Sequence, residues 1–524
     1  MPTSNSSTNP NNGFCSKTLT FHSLRPPSPL PSPSSSLSVT TFIFSLLQSY
    51  TTTTTTTATS SSPPSFIDST PTSNLTIPYS TLPSLITNLS LSLRHLSLSN
   101  HHSALIISSN SSYVPVLYLS LFSIGVVVSP INPASSSAEI SNVIRLCKPV
   151  VAFVTVDVVE KVKQTGFTNR IVVIESDEFV SMMSGVSNEE MSVGVSQLDT
   201  AAILYSSGGT TGKIKGVKLT HRNLISTIAG AMAGHQTRSS PAVYLSTVPY
   251  FHVYGFCLCL RTVALGDSLV SIGRFDMRLM LRSIVEFKVT HLPLAPPVVV
   301  ALVDESNKDL VNGTNWRSVE TVLCGGAPLT LAVINKFKRR FPNVSLVQAY
   351  GLTETTGGVA RIAGPYESKV VGTVGRLISN CEAKIVDPNT GAALPPMSRG
   401  ELWVRGPFVM KGYVDDKEVI DTMVDSDGWL RTGDLCYFDN EGFLFVVDRY
   451  PDELAGQVPM GFVVTRKGST INETQVKDYV AKQVAPYKKL RRVCFIDSIP
   501  KNATGKILRK ELIKMALSGI TSKL

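Results

Sequence analysis

Between residues 104 and 174 the chain alternates short apolar runs with longer helix-compatible ones, and this alternation constrains the fold more than any other feature. Stretches 104–107, 126–129, 150–155 and 170–174 are strand-like, while 113–124 and 137–147 between them are helix-like. Strands that alternate with helices build a parallel sheet covered by helices, so this part is predicted to be a layered α/β domain. The longest apolar stretch, 113–128, contains Pro115 and Ser120 and is followed by Pro130. It is short for a membrane span and is predicted to be a buried helix running into a strand.

Further on the pattern changes. Strand-like runs 384–387, 401–405 and 443–448 are separated by turn signals, Asp387-Pro388-Asn389-Thr390-Gly391 and Asp439-Asn440-Glu441-Gly442, which predicts antiparallel sheet. After Arg449 come one strand-like run (461–465), a helical stretch (473–483) and a basic tail. Residues 1–62, with the run from Thr51 to Thr57, lack periodicity and read as a disordered or loosely attached low-complexity tail. The expected organisation is therefore a tail over 1–62, a large domain over 63–449 and a small α+β domain over 450–524.

The segment "LYSSGGTTGKIKGVKLTHRN", residues 204–223, has the chemistry of a phosphate cradle. Ser206, Ser207, Gly208, Gly209, Thr210, Thr211 and Gly212, with Lys213 and Lys215 behind them, offer hydroxyls, close backbone N–H groups and cations. Its spacing is not that of a Walker loop. Strands are predicted at 201–205 and 217–219, with Thr220 capping a helix through Met232. A plain Gly/Ser/Thr surface turn is the competing reading of the loop alone.

Bulk composition narrows the partners. Basic residues (48) exceed acidic ones (38), so anionic ligands fit. The charges are scattered, and the clusters Lys336/Lys338/Arg339/Arg340 and Lys488/Lys489/Arg491/Arg492 read as well as solvated faces; nucleic acid is not expected. Eight cysteines without a Cys-x-x-Cys pair argue for reduced thiols and against a zinc site. Cys257 and Cys259 are expected in the core. Ser522-Lys523-Leu524 at the terminus is a peroxisomal address, favoured here over plastid or cytosol. Residues 1–67, with no Asp or Glu and only Lys17 and Arg25 as cations, resemble a transit peptide in part.

Three further stretches, "QAYGLTETTGG" (348–358), "GWLRTGDLCYFDNEGFLFVVDR" (428–449) and "PKNATGKILRKEL" (500–512), complete a set of four in order. Together they resemble the adenylate-forming superfamily, and within it the plant 4-coumarate:CoA ligase-like acyl-CoA synthetases, from Phe66 to the terminus. The resemblance implies a large domain of layered subdomains with an antiparallel sheet or distorted barrel, and a mobile small domain. It implies an ATP- and Mg²⁺-dependent ligase that makes an acyl-adenylate from a small carboxylic acid and passes the acyl group to coenzyme A.

Site roles follow from the same resemblance. The loop from Ser206 to Gly212, with Lys215, would hold the β- and γ-phosphates. Thr353 would bond the α-phosphate, and Glu354 would carry the metal. Tyr350 would stack on adenine, with Gly325, Gly326 and Ala327 at its edge and Asp434 with Arg449 on the ribose. Lys506 would bridge carboxylate and phosphate in the transition state. His252, Tyr254, Gly351, Gly357 and Gly358 would line the acyl site; on its own, His252 reads as a satisfied core histidine.

Three departures from the family pattern bear on function. Gly208-Gly209 replaces a single loop glycine. Tyr450 joins directly to Pro451, where the family carries a hinge lysine and further chain before the equivalent of Pro451-Asp452-Glu453; the small domain is thus expected to be truncated. Gly357-Gly358 stands where coumarate-specific ligases carry Pro-Val, and Glu401 to Gly406 where they carry a cysteine-bearing segment. The glycine pair is expected to open the pocket wall, which leaves fatty, jasmonate-precursor and cinnamate-type acids open. Two other readings of the whole chain remain: an impaired homologue or splice isoform that binds nucleotide or carboxylate without turnover, and a luciferase-like oxygenase.

Overall fold

The computed structural model describes residues 8–53, 64–69, 75–185, 194–207, 214–234, 238, 240–414, 423–447, 460–465, 470–481, 490–500, 512 and 515–516. Two compact units divide the chain. The first takes Met1–Pro133, Ile144–Val159 and Thr168–Arg449; the second takes Ala134–Val143, Glu160–Phe167 and Tyr450–Leu524.

Among the described residues the first unit contains three sheets. One runs in the order Gly412–Tyr413, Ile214–Thr220, Thr200–Ser207, Val127–Ile131, Ser103–Ile107, Val151–Val154 and Arg170–Val173. Its last five strands are parallel neighbours, as the strand–helix alternation requires. The helix Tyr113–Ser123 buries every residue from Val114 to Phe122. Ser120 is tolerated there because its hydroxyl donates to the Val116 carbonyl, one turn back, at 2.8 Å. No helix among the described residues is long and apolar enough to cross a membrane.

A second sheet has nine strands, ordered Arg376–Leu377, Ala360–Arg361, Ser345–Tyr350, Thr321–Cys324, His291–Leu294, Val243–Ser246, Ser268–Ser271, Pro64–Asp68 and Thr76–Pro78. Six central strands are parallel, so their carboxyl ends collect on one edge. Ligands of open α/β sheets bind beyond that edge. Helix Val253–Ala264 belongs to the large core that includes Tyr118, Phe256 and Tyr350. Cys259 is fully buried and Cys257 partly so, as expected of core residues.

The third sheet is antiparallel: Phe14–Cys15, Thr20–His22, Glu382–Val386, Gly400–Arg405, Leu430–Phe438 and Leu444–Val446, with Ala393–Leu394 on Glu382–Val386. Its first two strands correct the expectation for residues 1–62. Phe21 is 1% exposed and stacks on Phe438 at 4.1 Å between ring centroids. Arg25 forms a bidentate pair with Glu367, both contacts at 2.6 Å, and the helix Val39–Thr53 buries Val39 and Ile43. A few well-spaced apolar residues do this work: Ser, Thr and Pro between them leave no period to detect, yet Ser and Thr hydroxyls bond backbone along the segment. Thr40, for example, donates to the Leu119 carbonyl at 2.6 Å.

The second unit, described by itself, contains a parallel pair, Met460–Val463 with Arg492–Phe495, and the helix Glu473–Ala481. Glu473 ties the two elements by accepting the Val493 N–H at 3.1 Å.

Candidate active site

The strands that flank the predicted phosphate loop, Thr200–Ser207 and Ile214–Thr220, pair antiparallel. Ser207 pairs with Ile214 and Ser206 with Lys215, so Ser206 and Lys215 stand directly opposite each other and share a face. Residues Gly208, Gly209, Thr210, Thr211 and Gly212 lie outside the described residues, as do Arg449 and Lys506.

At the loop end of this strand pair lies a carboxylate hub. The strand Ser345–Tyr350 ends in Gly351, and a 3₁₀ turn, Thr353–Thr355, follows. Thr355 closes that turn on itself, its hydroxyl accepting from Leu352 N at 2.9 Å, which sets Thr353 and Glu354 side by side. Glu354 Oε1 accepts two hydroxyls, Ser206 at 3.1 Å and Tyr413 at 2.9 Å. Lys215 Nζ lies 4.7 Å from the centre of the Tyr413 ring, within reach of a cation–π contact. Tyr413 was not among the predicted site residues: a lone tyrosine in a two-residue strand has no periodicity, and only its pairing Val217↔Tyr413 brings it to the strand pair.

A second polar pair sits deeper. Tyr350 is 8% exposed and Asp434 7%, and the Tyr350 hydroxyl donates to Asp434 Oδ2 at 2.6 Å, the length of a charge-assisted bond. Burial, and then the neighbouring carboxylate, push the Tyr350 phenol well above its ordinary pKa. Gly351 is required by crowding, since a Cβ there would lie 2.3 Å from the Gly357 carbonyl oxygen. Gly325, Gly326 and Ala327 follow the strand Thr321–Cys324 at the same edge, with Gly326 at φ +91°, a conformation that favours glycine.

Tyr254 and His252 occupy the start of the helix Val253–Ala264. The Tyr254 hydroxyl donates to the Leu323 carbonyl at 2.9 Å, and its ring faces Gly325, with Cε1 3.8 Å from where a Cβ would stand. His252 caps the helix, Nδ1 accepting from Tyr254 N at 3.3 Å. His252 is exposed, and the neighbouring protein that displaces part of its hydration lowers its pKa. The expectation that Gly357 and Gly358 open the wall needs correction. Val253 Cγ2 at 3.3 Å and Cys257 Sγ at 3.8 Å already crowd the place of a Gly357 side chain, and Ile378 Cδ1 at 3.3 Å that of Gly358. Gly357, at φ +85°, serves the turn more than the cavity.

Comparison with known proteins follows the same division of the chain. Residues 56–414 match the model of the AMP-binding enzyme family, and residues 446–506 that of the AMP-binding enzyme C-terminal domain. The 4-coumarate–CoA ligase-like 9 of Arabidopsis thaliana is 43% identical over 555 positions, covering 98% of this chain and 97% of that protein. Peroxisomal OPC-8:0-CoA ligase 1 of the same plant is 38% identical, covering 98% and 99%. A solved o-succinylbenzoate CoA synthetase from Bacillus subtilis, bound with a product analogue, shares the fold at a TM-score of 0.75 and 22% identity, over 90% of this chain and 98% of that one. The match to ligase-like 9 spans 555 positions but takes in only 98% of 524 residues, so about forty positions of that relative have no counterpart here.

Proposed function

Because the chain belongs to the AMP-binding enzyme family, we propose that it is an acid–thiol ligase that activates a carboxylic acid with ATP and transfers the acyl group to coenzyme A. In the first step a carboxylate oxygen bonds to the α-phosphorus, the bond to the β-phosphate oxygen breaks, and pyrophosphate leaves. In the second the thiol sulfur bonds to the carbonyl carbon, its proton departs to solvent or base, and AMP leaves with the electrons of the broken C–O bond. The observation that carries this reading is the hub of Ser206, Glu354 and Tyr413 at the loop end of the strand pair, beside the carboxyl ends of the parallel strands.

Residue roles are part of the proposal. The loop of Ser206, Ser207, Gly208, Gly209, Thr210, Thr211 and Gly212, with Lys215, holds the terminal phosphates, and Thr353 bonds the α-phosphate. Glu354 suits a magnesium ion: Oε1 is anchored by two hydroxyls while no hydrogen bond is described for Oε2, leaving a hard oxygen donor. The ion would neutralise charge that builds on the phosphates. Tyr350 stacks on adenine beside Gly325, Gly326 and Ala327, Asp434 and Arg449 take the ribose, and Lys506 bridges carboxylate and phosphate. His252 and Tyr254 wall the acyl group, drawn from aryl, fatty or jasmonate-precursor acids. The terminal Ser522-Lys523-Leu524 and the peroxisomal relative support import by the peroxisomal receptor.

The second reading, impaired thioester turnover, is favoured by the direct Tyr450-Pro451 junction and the roughly forty unmatched positions. Acyl transfer depends on the small domain swinging about a hinge, whereas adenylation needs it only to deliver Lys506. The two half-reactions are separated by trapping adenylate with hydroxylamine while measuring thioester in parallel. Hydroxamate well above thioester is the expected result. Full thioester turnover would discard the impairment; no hydroxamate with any of a panel of acids would discard the ligase.

A further inference from the structure

Beyond the reacting end of the site, two arginines have no hydrogen-bond acceptor for their side chains among the described residues. On the helix Val253–Ala264, Tyr254, Cys257 and Arg261 recur at the three- and four-residue spacing of one face. That face meets the nine-stranded sheet: Tyr254 bonds the Leu323 carbonyl, and the Arg261 guanidinium lies 5.1 Å from the Tyr244 ring centre. Arg361 pairs with Ala349, and the register carries Ala349, Leu323 and Tyr244 onto the same face of the sheet. From Tyr254 to Arg261 is two helical turns, about 10 Å. The strip therefore leads from Tyr254 and Gly325, beside the reacting end, to Arg261, Arg361 and Tyr244.

The charges at the far end do not balance. Arg25 is taken by Glu367 and Arg238 by Glu320, each through two contacts. The remaining carboxylate, Asp267, is 1% exposed; Oδ1 accepts the Ala242 N–H at 2.8 Å, and Oδ2 has no hydrogen bond. Asp267 acts on Arg261 and Arg238, and the carboxylate that acts on Arg361 is Glu367, already held by Arg25; among the described residues neither Arg261 nor Arg361 has an acceptor of its own. Tyr244 offers Arg261 a ring and no acceptor atom, and Arg261 Nε is buried without a partner. Burial first, then Arg261 and Arg25, pull Arg361 down to about 10. Space is reserved for this group: a Cβ at Gly234 would lie 2.2 Å from Arg361 Nη2. Buried donors in this state are stabilised by an acceptor that arrives with a ligand.

We propose that Arg261 and Arg361 form the distal end of the acyl site and receive a second acceptor on the substrate, a terminal carboxylate or carbonyl oxygen, so that ω-functionalised acids are preferred over methyl-ended ones. This rests on the ligase reading for where the reacting carboxylate sits. It makes the two arginines specificity-determining residues, with no part in the chemical steps.

The test uses the full chain, wild type and Arg361→Gln, with octanoic, 8-oxononanoic and octanedioic acids, reading ATP-dependent hydroxamate formation. Wild type is expected to favour the two acceptor-bearing acids over octanoic acid by at least about tenfold in kcat/KM, as sites built to hydrogen-bond a substrate group do. Octanedioic acid ahead of 8-oxononanoic acid identifies an anion site, and the reverse order a carbonyl site; either order supports the proposal. In Arg361→Gln that ratio falls towards one through KM, and Arg361→Lys restores part of it. Equal use of octanoic and octanedioic acids by the wild type overturns the proposal. So does an equal loss for all acids in a variant whose melting temperature is kept. Hydroxamate from none of the acids sinks the ligase reading instead, and calorimetric titration then decides: octanedioate binding weakened by Arg361→Gln supports the pocket, and no difference from octanoate refutes it.

Discussion

Replacing Tyr350 by phenylalanine removes one oxygen and keeps the ring. The lost hydroxyl donates to Asp434 at 2.6 Å, with both residues buried. A hydrogen bond to a charged group is worth about 1.5–3 kcal/mol net, so the variant should unfold more easily by about 2 kcal/mol, close to thirty-fold in the folding equilibrium. Part of that loss would appear in any tyrosine truncation, so the pair term must be isolated. Chemical denaturation of Tyr350→Phe, Asp434→Asn and the double variant gives it as a coupling energy. The ring should still stack on adenine, so AMP should protect Tyr350→Phe against denaturation by nearly the wild-type increment, whereas Asp434→Asn, deprived of its charge toward the ribose, should lose most of the protection. A coupling below about 0.5 kcal/mol, the scatter of independent sites, would refute the claim that the hydroxyl anchors Asp434. Equal AMP protection in all variants would remove Asp434 from the nucleotide site.

Three further outcomes are expected. His221 is fully buried, accepts the Val39 N–H at 3.1 Å on Nδ1, has no partner at Nε2, and burial pulls its pKa down to about 4. The unfolded chain takes that proton near pH 6.5 and the folded one only near 4, so stability should fall as pH drops through this window, by about 3 kcal/mol in all; His221→Gln should flatten the curve, and an unchanged slope in melts from pH 7 to 4 would refute it. Gly351→Ala forces a Cβ to 2.3 Å from the Gly357 carbonyl and 2.7 Å from Gly358 N; overpacking costs about 1–3 kcal/mol, and nucleotide KM should rise because Thr353 and Glu354 follow directly, with wild-type melting and KM the contrary result. Lys506→Met should lower hydroxamate formation by about a hundredfold or more while ATP affinity holds; equal activity would take Lys506 out of the mechanism.

What the sequence disclosed, and what it withheld, follows from the range of the interactions. Strands at 104–107, 126–129, 150–155 and 170–174 are legible because each buries a short apolar run between helices, and the observed strands differ by a residue or two. Thr220 is legible as a cap because its partner, Asn223, is three residues away. The hub of Ser206, Glu354 and Tyr413 joins residues about 150 and 60 positions apart: the chemistry of the loop named Ser206, the family resemblance named Glu354, and nothing local named Tyr413. Arg261 and Arg361 were equally silent, since an arginine in a sequence looks the same whether its guanidinium meets water or is held against the sheet without an acceptor. The glycine pair at 357 and 358 misled for a related reason. Omitting side chains makes room only where no neighbour fills the space, and Val253 and Ile378 lie 3.3 Å from where those side chains would start.

The N-terminal segment has a practical consequence. By composition it is the stretch an experimentalist would trim first, or that a processing peptidase would be supposed to discard. Yet removing the chain through Val39 would strip an edge from the antiparallel sheet, uncover Phe438 and leave His221 without the backbone N–H it accepts. Shortened versions beginning near residue 60 should emerge from expression as aggregates, because they expose an unpaired strand edge and a greasy groove together. Affinity tags belong ahead of residue 8. The same stitching makes the segment a reporter: a protease site engineered at 30–35, where Ser32 and Ser35 bond Gln197, would be cleaved at a rate that tracks how often the domain lets go of its own beginning.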